Sequence, residues 1–79
     1  MRLRYDPEAD AAYIRLRPGK VIREEILDDT RVVDYGADGE PVGVELLDLT
    51  HVPVDLKGLP RPDDIARLLQ RHNVGSTAA

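Results

Sequence analysis

DYGADGEPVGVE, residues 34–45, allows two readings, and the choice between them decides the fold. Asp34, Asp38, Gly39 and Glu45 follow much of the calcium-loop template D-x-[DN]-x-[DN]-G-x5-E, but Gly36 stands where the third position needs an oxygen ligand. The same residues make the turn of a β-hairpin. A three-residue turn pairs Asp34 with Val42, whereas a four-residue loop, Gly36 to Gly39, pairs Val33 with Val42. The second register collects Val33, Tyr35, Val42, Val44 and Leu46 on one face and leaves Val32, Asp34, Gly43 and Glu45 on the other. A one-residue slip would send every side chain to the wrong side, so the apolar pattern selects the longer loop. In that register Asp34 opposes Pro41, and Glu45 lies four residues further along, roughly 13 Å away at about 3.3 Å per residue. Two carboxylates so placed cannot share one ion whose oxygens lie within about 2.6 Å. The stretch is therefore read as a hairpin, with Gly43 a bare spot where a helix or a partner can approach.

Working outward, short apolar-polar alternations separated by Asp, Pro and Gly clusters predict strands at Arg2 to Tyr5, Ala11 to Arg17, Lys20 to Leu27, Arg31 to Tyr35 and Pro41 to Leu47. Asp6-Pro7 starts the first turn and Pro18-Gly19 the second. After Asp48 the chain becomes irregular. At Pro62 a helix is predicted to begin, because proline at the first helical position loses no hydrogen bond and Asp63 and Asp64 favour the positive end of the helix dipole. Ile65, Leu68, Leu69 and His72 fall on one stripe. The expectation is a small α+β domain: an antiparallel five-stranded β-meander with one C-terminal α-helix. It occupies residues 1–73, with the meander at 1–48, an extension at 49–73 carrying the helix at about 62–72, and a disordered tail at 74–79.

Seventy-nine residues without cysteine, Phe or Trp leave three tyrosines and the aliphatic residues to build a thin core, which favours a homodimer. No thiolate is present to bind a metal or form a disulfide. No apolar run approaches the roughly 20 residues of a membrane helix, and MRLRYDPEAD has no signal-peptide apolar region, so a cytoplasmic location is expected. A net charge of −4 argues against a general nucleic-acid binder.

The register logic extends to surfaces. Setting Tyr5 opposite Ala12 places Leu3 opposite Ile14 and keeps both inside, so Arg2, Arg4, Tyr13, Arg15 and Arg17 face out. If the next strand pairs in sequence, Leu16 meets Ile22 and Ala12 meets Ile26, Glu24 turns inward opposite Ile14, Glu25 comes beside Tyr13, and Arg23 lies beside Arg15. Like charges so placed destabilise a sheet, so the ladder needs a counter-charge: Glu25, the acidic helix start at Asp63 and Asp64, solvent, an acidic protein partner, or the phosphate of a nucleic acid. Arg2, Arg4, Tyr13, Arg15, Arg17 and Arg23 are the candidate binding residues.

YDPEADAAYIRLRPG at residues 5–19 and VVDYGADGEPVGVELLD at residues 32–48 resemble, in order and spacing, the YuzE-like family of small bacterial proteins, a domain of unknown function. The resemblance implies a compact β-rich domain with a short helical element and supplies no catalytic residue or cofactor. Because some members are encoded beside small toxin-like proteins, it also implies an antitoxin-like or other partner-binding role. The segment after Asp48 departs from the shared blocks.

Catalytic chemistry finds little support in the residues. Glu24-Glu25 and Asp28-Asp29 are strand or turn neighbours that point apart or into solvent, not a paired acid and base. His51 and His72 are the only histidines, too far apart for a local metal motif. Thr50 beside His51 is adjacency without a third partner. No catalytic residue, metal or cofactor is assigned. The leading expectation is a non-enzymatic protein-binding or regulatory module. The alternative is a small enzyme or ligand-binding domain at the sheet-helix junction around Glu24, His51 and His72.

Overall fold

In the computed structural model, which describes residues 1–77, strands run at Arg2–Asp6 (β1), Ala11–Arg15 (β2), Arg23–Asp28 (β3), Arg31–Tyr35 (β4) and Pro41–Leu46 (β5), followed by a helix at Pro62–His72 (α1). All pairings are antiparallel, in the order β1-β2-β5-β4-β3. The domain is α+β, with one open five-stranded sheet and one C-terminal helix. β3, β4 and β5 form a meander, and the β1–β2 hairpin joins it along β5, a Greek-key connection.

The first hairpin has the predicted register, Tyr5 opposite Ala12 and Leu3 opposite Ile14. The expected pairing of β2 with β3 does not form. It would have set Glu24 inside against Ile14 and Arg23 beside Arg15. Pairing β2 with β5 replaces both conflicts, since Ile14 meets Val44 and Arg15 meets Gly43. β5 suits a central position because Val42, Val44 and Leu46 are buried. β3, with Arg23, Glu24 and Glu25 in succession, suits an edge, where charged side chains remain solvated. β2 ends at Arg15 and β3 begins at Arg23, so Leu16 to Ile22 form a crossing over the ends of two strands and not the predicted tight turn.

The β4–β5 register also differs from expectation. Val33 opposes Val44 and Asp34 opposes Gly43, with an irregularity that brings Tyr35 opposite Pro41. The displacement is an even number of residues, so Val33, Val44 and Leu46 still face the core and Val32, Asp34, Gly43 and Glu45 still face outward. Val42 sits at the irregularity, buried against Gly19 and Gly36.

The core joins Ile14, Val33, Val44 and Leu46 of the sheet to Ile65, Leu68 and Leu69 of the helix. Pro62 lies in the first turn with Asp63 and Asp64, and Asn73 closes α1 in the left-handed conformation, its N–H donating to the Gln70 and Leu69 carbonyls. His72, expected on the buried stripe, is exposed in the last turn. Val74 to Thr77 do not extend away as the predicted tail: Val74 packs on the core, and the Val54 N–H donates to the Ser76 carbonyl. The rest of that predicted tail, residues 78–79, lies outside the described residues. Among the described residues no helix is long and apolar enough to cross a membrane.

Arg31 anchors the extension. Its buried guanidinium donates to Asp28 Oδ2 from Nε at 2.9 Å and Nη2 at 2.8 Å, and from Nη1 to the carbonyls of Asp55 and Lys57. The Arg31 guanidinium and then the Thr30 N–H hold the Asp28 carboxyl below the usual range. Arg31→Met leaves these acceptors without their donor and is expected to lower stability by about 2–3 kcal/mol, read as a lower urea midpoint at unchanged slope. A depressed carboxyl stabilises the fold fully above its unfolded value of about 3.9 and loses that contribution as pH falls through the lower folded value. Part of the difference between wild type and Arg31→Met therefore closes in acid.

Candidate binding face

The helix covers one side of the sheet, and the other side is laid out by the strand registers. One row across it runs Arg2, Arg15, Gly43, Asp34, Glu24. The next runs Arg4, Tyr13, Glu45, Val32, Ile26. Arginine therefore occupies the β1–β2 half and carboxylate the β5–β4–β3 part, with Gly43 between them.

Tyr13 bridges the two regions. Its ring lies over Gly43, and its hydroxyl donates to Asp34 Oδ2 at 2.9 Å. A Cβ built on Gly43 overlaps the Tyr13 hydroxyl and lies 2.5 Å from Cζ, so no larger residue fits beneath the ring. The bare spot is thus filled from within the chain, by Tyr13, and not by the helix. Asp34 is 7% exposed, and its Oδ1 has no hydrogen-bond partner. Burial, then the hydrogen bond and charge of Asp34, push the Tyr13 phenol above its ordinary value, while Arg15 works the other way.

The six candidate binding residues divide. Arg2, Arg4, Tyr13 and Arg15 come together and line a shallow depression with Leu3. Arg15 donates to the Gly19 carbonyl at 2.7 Å, and among the described residues no carboxylate lies within salt-bridge reach of Arg2, Arg4 or Arg15. Arg17 is held at the β4–β5 hairpin tip, donating to Asp38 Oδ1 at 2.7 Å and to the carbonyls of Glu40 and Pro41. Arg23 is remote from Arg15, because β3 is the far edge strand. It stacks on Tyr35 with 4.2 Å from Cζ to the ring centroid. Glu25 accompanies Arg23 on the helix side of the sheet, opposite Val33, and is not beside Tyr13.

The residues of the alternative site do not converge. Glu24 is exposed on the outer face beside Asp34, not inward, and the helix lies behind the sheet. His51 lies with Asp10, and His72 is exposed at the helix end. A second hollow, between the C-terminal half of α1 and residues 75–77, has no charged side chain in its lining.

The calcium template is likewise dispersed. Asp38 pairs with Arg17 at the hairpin tip, Asp34 is under Tyr13, and Glu45 opposes Tyr13. In the observed register Asp34 and Glu45 are diagonal neighbours about 7 Å apart, closer than the sequence reading has them. A different group gathers Asp10, Asp48 and His51 with ligand atoms within 4.8 Å of one another, which sequence spacing gives no means of finding. Asp10 accepts from the Thr50 N–H at 3.1 Å and hydroxyl at 2.8 Å, and contacts His51 Nδ1 at 3.2 Å. Burial raises the Asp10 carboxyl, but these Thr50 and His51 contacts more than offset it and leave it below the usual range. The cluster ties the β1–β2 turn to the turn after β5, which accounts for it structurally.

A family described as "Protein of unknown function (DUF2283)" matches residues 2–49, more than half of the chain, and ends where the irregular extension begins. No curated protein and no solved structure matches the chain.

Gly43→Ala is expected to destabilise the fold, although alanine in a strand is ordinarily better than glycine. In a Tyr13→Ala background the same change becomes neutral or favourable, and chemical denaturation of the four proteins checks this. Tyr13→Phe leaves the Asp34 carboxylate without its donor and costs about 1–3 kcal/mol. It also removes from the absorbance titration a phenol that ionises above about 10. The raised value contributes stability below the unfolded phenol value, and that contribution is lost as pH rises through the folded one.

Proposed function

The chain belongs to the DUF2283 family, and we propose that it is a non-enzymatic protein-binding, regulatory module of the antitoxin kind, which uses the arginine half of its outer face to hold an acidic segment of another protein. The observation that carries this reading is the convergence of Arg2, Arg4 and Arg15 around Tyr13 on an uncovered sheet face, with no carboxylate in salt-bridge reach among the described residues. Guanidinium groups recognise carboxylates through paired donors, and a tyrosine ring among them adds rigid apolar contact area.

The size of the patch favours a short acidic segment over a long polyanion. A nucleic acid laid across the sheet would leave the arginines and run onto Glu45, Asp34 and Glu24, where its phosphates meet carboxylates. The depression is open, as suits a peptide or a protein surface more than a small substrate. The reading takes the setting to be cytoplasmic.

The test is affinity capture from the native cell with three baits: wild type, the reversal Arg2→Glu, Arg4→Glu, Arg15→Glu, and a control of equal charge change, Lys20→Glu, Lys57→Glu, Arg71→Glu. A partner with an acidic segment is expected to be retained by wild type and control and lost from the arginine reversal, with binding weakened by salt. Circular dichroism establishes that all three fold. A partner held equally by all three, or none in any, contradicts the proposal.

A further inference from the structure

We infer that the free edge of β3 is the interface of a symmetric homodimer, in which two copies pair β3 with β3 and join their sheets into one ten-stranded sheet. β3 is bonded to β4 alone, and its other edge is open. Ile22 and Ile26 are 59% and 74% exposed, the two largest exposures among the large hydrophobic residues. Ile26 lies on the outer face two residues beyond Glu24, and Ile22 immediately precedes the strand, its N–H donating to the Tyr35 carbonyl. An open edge bearing exposed apolar side chains is a template for another strand.

The sequence of the edge identifies the second strand as a copy of itself. For two antiparallel copies related by a two-fold axis perpendicular to the sheet, opposed residues share a face, so only registers joining residues of like parity are allowed. Centring the axis on Glu24 sets Arg23 opposite Glu25 on the helix-side face, twice, and brings each Ile26 to the end of the partner's strand where its exposed Ile22 lies. Only Glu24 then meets its own copy. Centring on Arg23 opposes like charges at the axis and takes Arg23 away from Glu25. Centring on Glu25 places Ile26 against Glu24 and Arg23 against Leu27. Of these registers only the one centred on Glu24 pairs the opposite charges.

The opposite edge fits less well. A β1–β1 pairing centred on Arg4 would oppose two Arg4 side chains on an outer face already crowded with Arg2 and Arg15, one centred on Tyr5 would draw Arg4 onto Asp6 and break up the arginine cluster, and α1 packs against β1. In the β3-paired dimer both arginine patches stay free, at the two ends of one continuous face. The inference thus concerns a surface separate from the one proposed to bind an acidic segment, and either can fail without the other.

The experiment is sedimentation velocity at high micromolar concentration, with a cross-linking arm that uses the absence of native cysteine. Wild type is expected to sediment as a dimer. Arg23→Glu, which opposes Glu to Glu25 twice, is expected to weaken association at least roughly tenfold, and the swap Arg23→Glu with Glu25→Arg to restore it. Glu24→Gln removes the one like-charge pair and tightens association roughly fivefold. Residues directly opposed in antiparallel strands have Cα atoms about 4.5–5.5 Å apart, within disulfide range, so Glu24→Cys is expected to form a covalent dimer on mild oxidation. Circular dichroism of each variant separates dissociation from unfolding. A monomeric wild type overturns the inference. So does a dimer indifferent to Arg23→Glu, or one that cross-links through Arg4→Cys and not through Glu24→Cys.

Discussion

The Tyr13 hydroxyl reaches Asp34 across a strand that belongs to neither, and it does so only because residue 43 has no side chain. The contact spans β2, β5 and β4, the three central strands, and so ties the β1–β2 hairpin to the meander that follows it. Were β5 to slide by one residue, Val42 or Val44 would lie under the ring in place of Gly43. The hydrogen bond, the glycine and the sheet order are thus one constraint expressed three ways. The buried carboxylate of Asp34 is tolerable because one oxygen accepts from the phenol, and the other remains a site of unspent hydrogen-bonding capacity on the outer face.

That arrangement divides the outer face by charge. The β1–β2 half holds Arg2, Arg4 and Arg15, and the β5–β4–β3 part holds Glu45, Asp34 and Glu24. The division follows from topology, since inserting β5 and β4 between β2 and β3 separates Arg15 from Arg23 and leaves each free to serve a different surface. Arg15 joins the arginine cluster at one end of the sheet. Arg23, stacked on Tyr35, belongs to the open edge at the other. Arg17 and Arg31 bind the chain to itself, so the eleven basic residues are not one undifferentiated surface.

Local patterns were legible in the sequence, and long-range partners were not. Alternation between apolar and polar residues placed the strands and the β1–β2 register, while Pro62, the paired aspartates and the stripe through Leu69 placed the helix. The faces of β4 and β5 were also readable despite a displaced register, because an even displacement preserves them. Pairing β2 with β3 assumed that neighbours in sequence are neighbours in space. The conflicts this created, Glu24 against Ile14 and Arg23 against Arg15, were the physical sign that β5 belonged there. The contacts of Asp10 with Thr50 and His51, and the irregularity at Val42, left no such sign, since each depends on how distant turns are brought together.

Tyr13 packs on Gly43 and thereby fixes β2 against β5. The most direct measurement is a two-dimensional nuclear Overhauser spectrum of the protein in solution. Cross-peaks are expected from the Tyr13 ring protons to the Gly43 α-protons, with those α-protons shifted upfield by the ring. Cross-peaks from Tyr13 to Glu25, with none to Gly43, would place β3 beside β2 and contradict this packing.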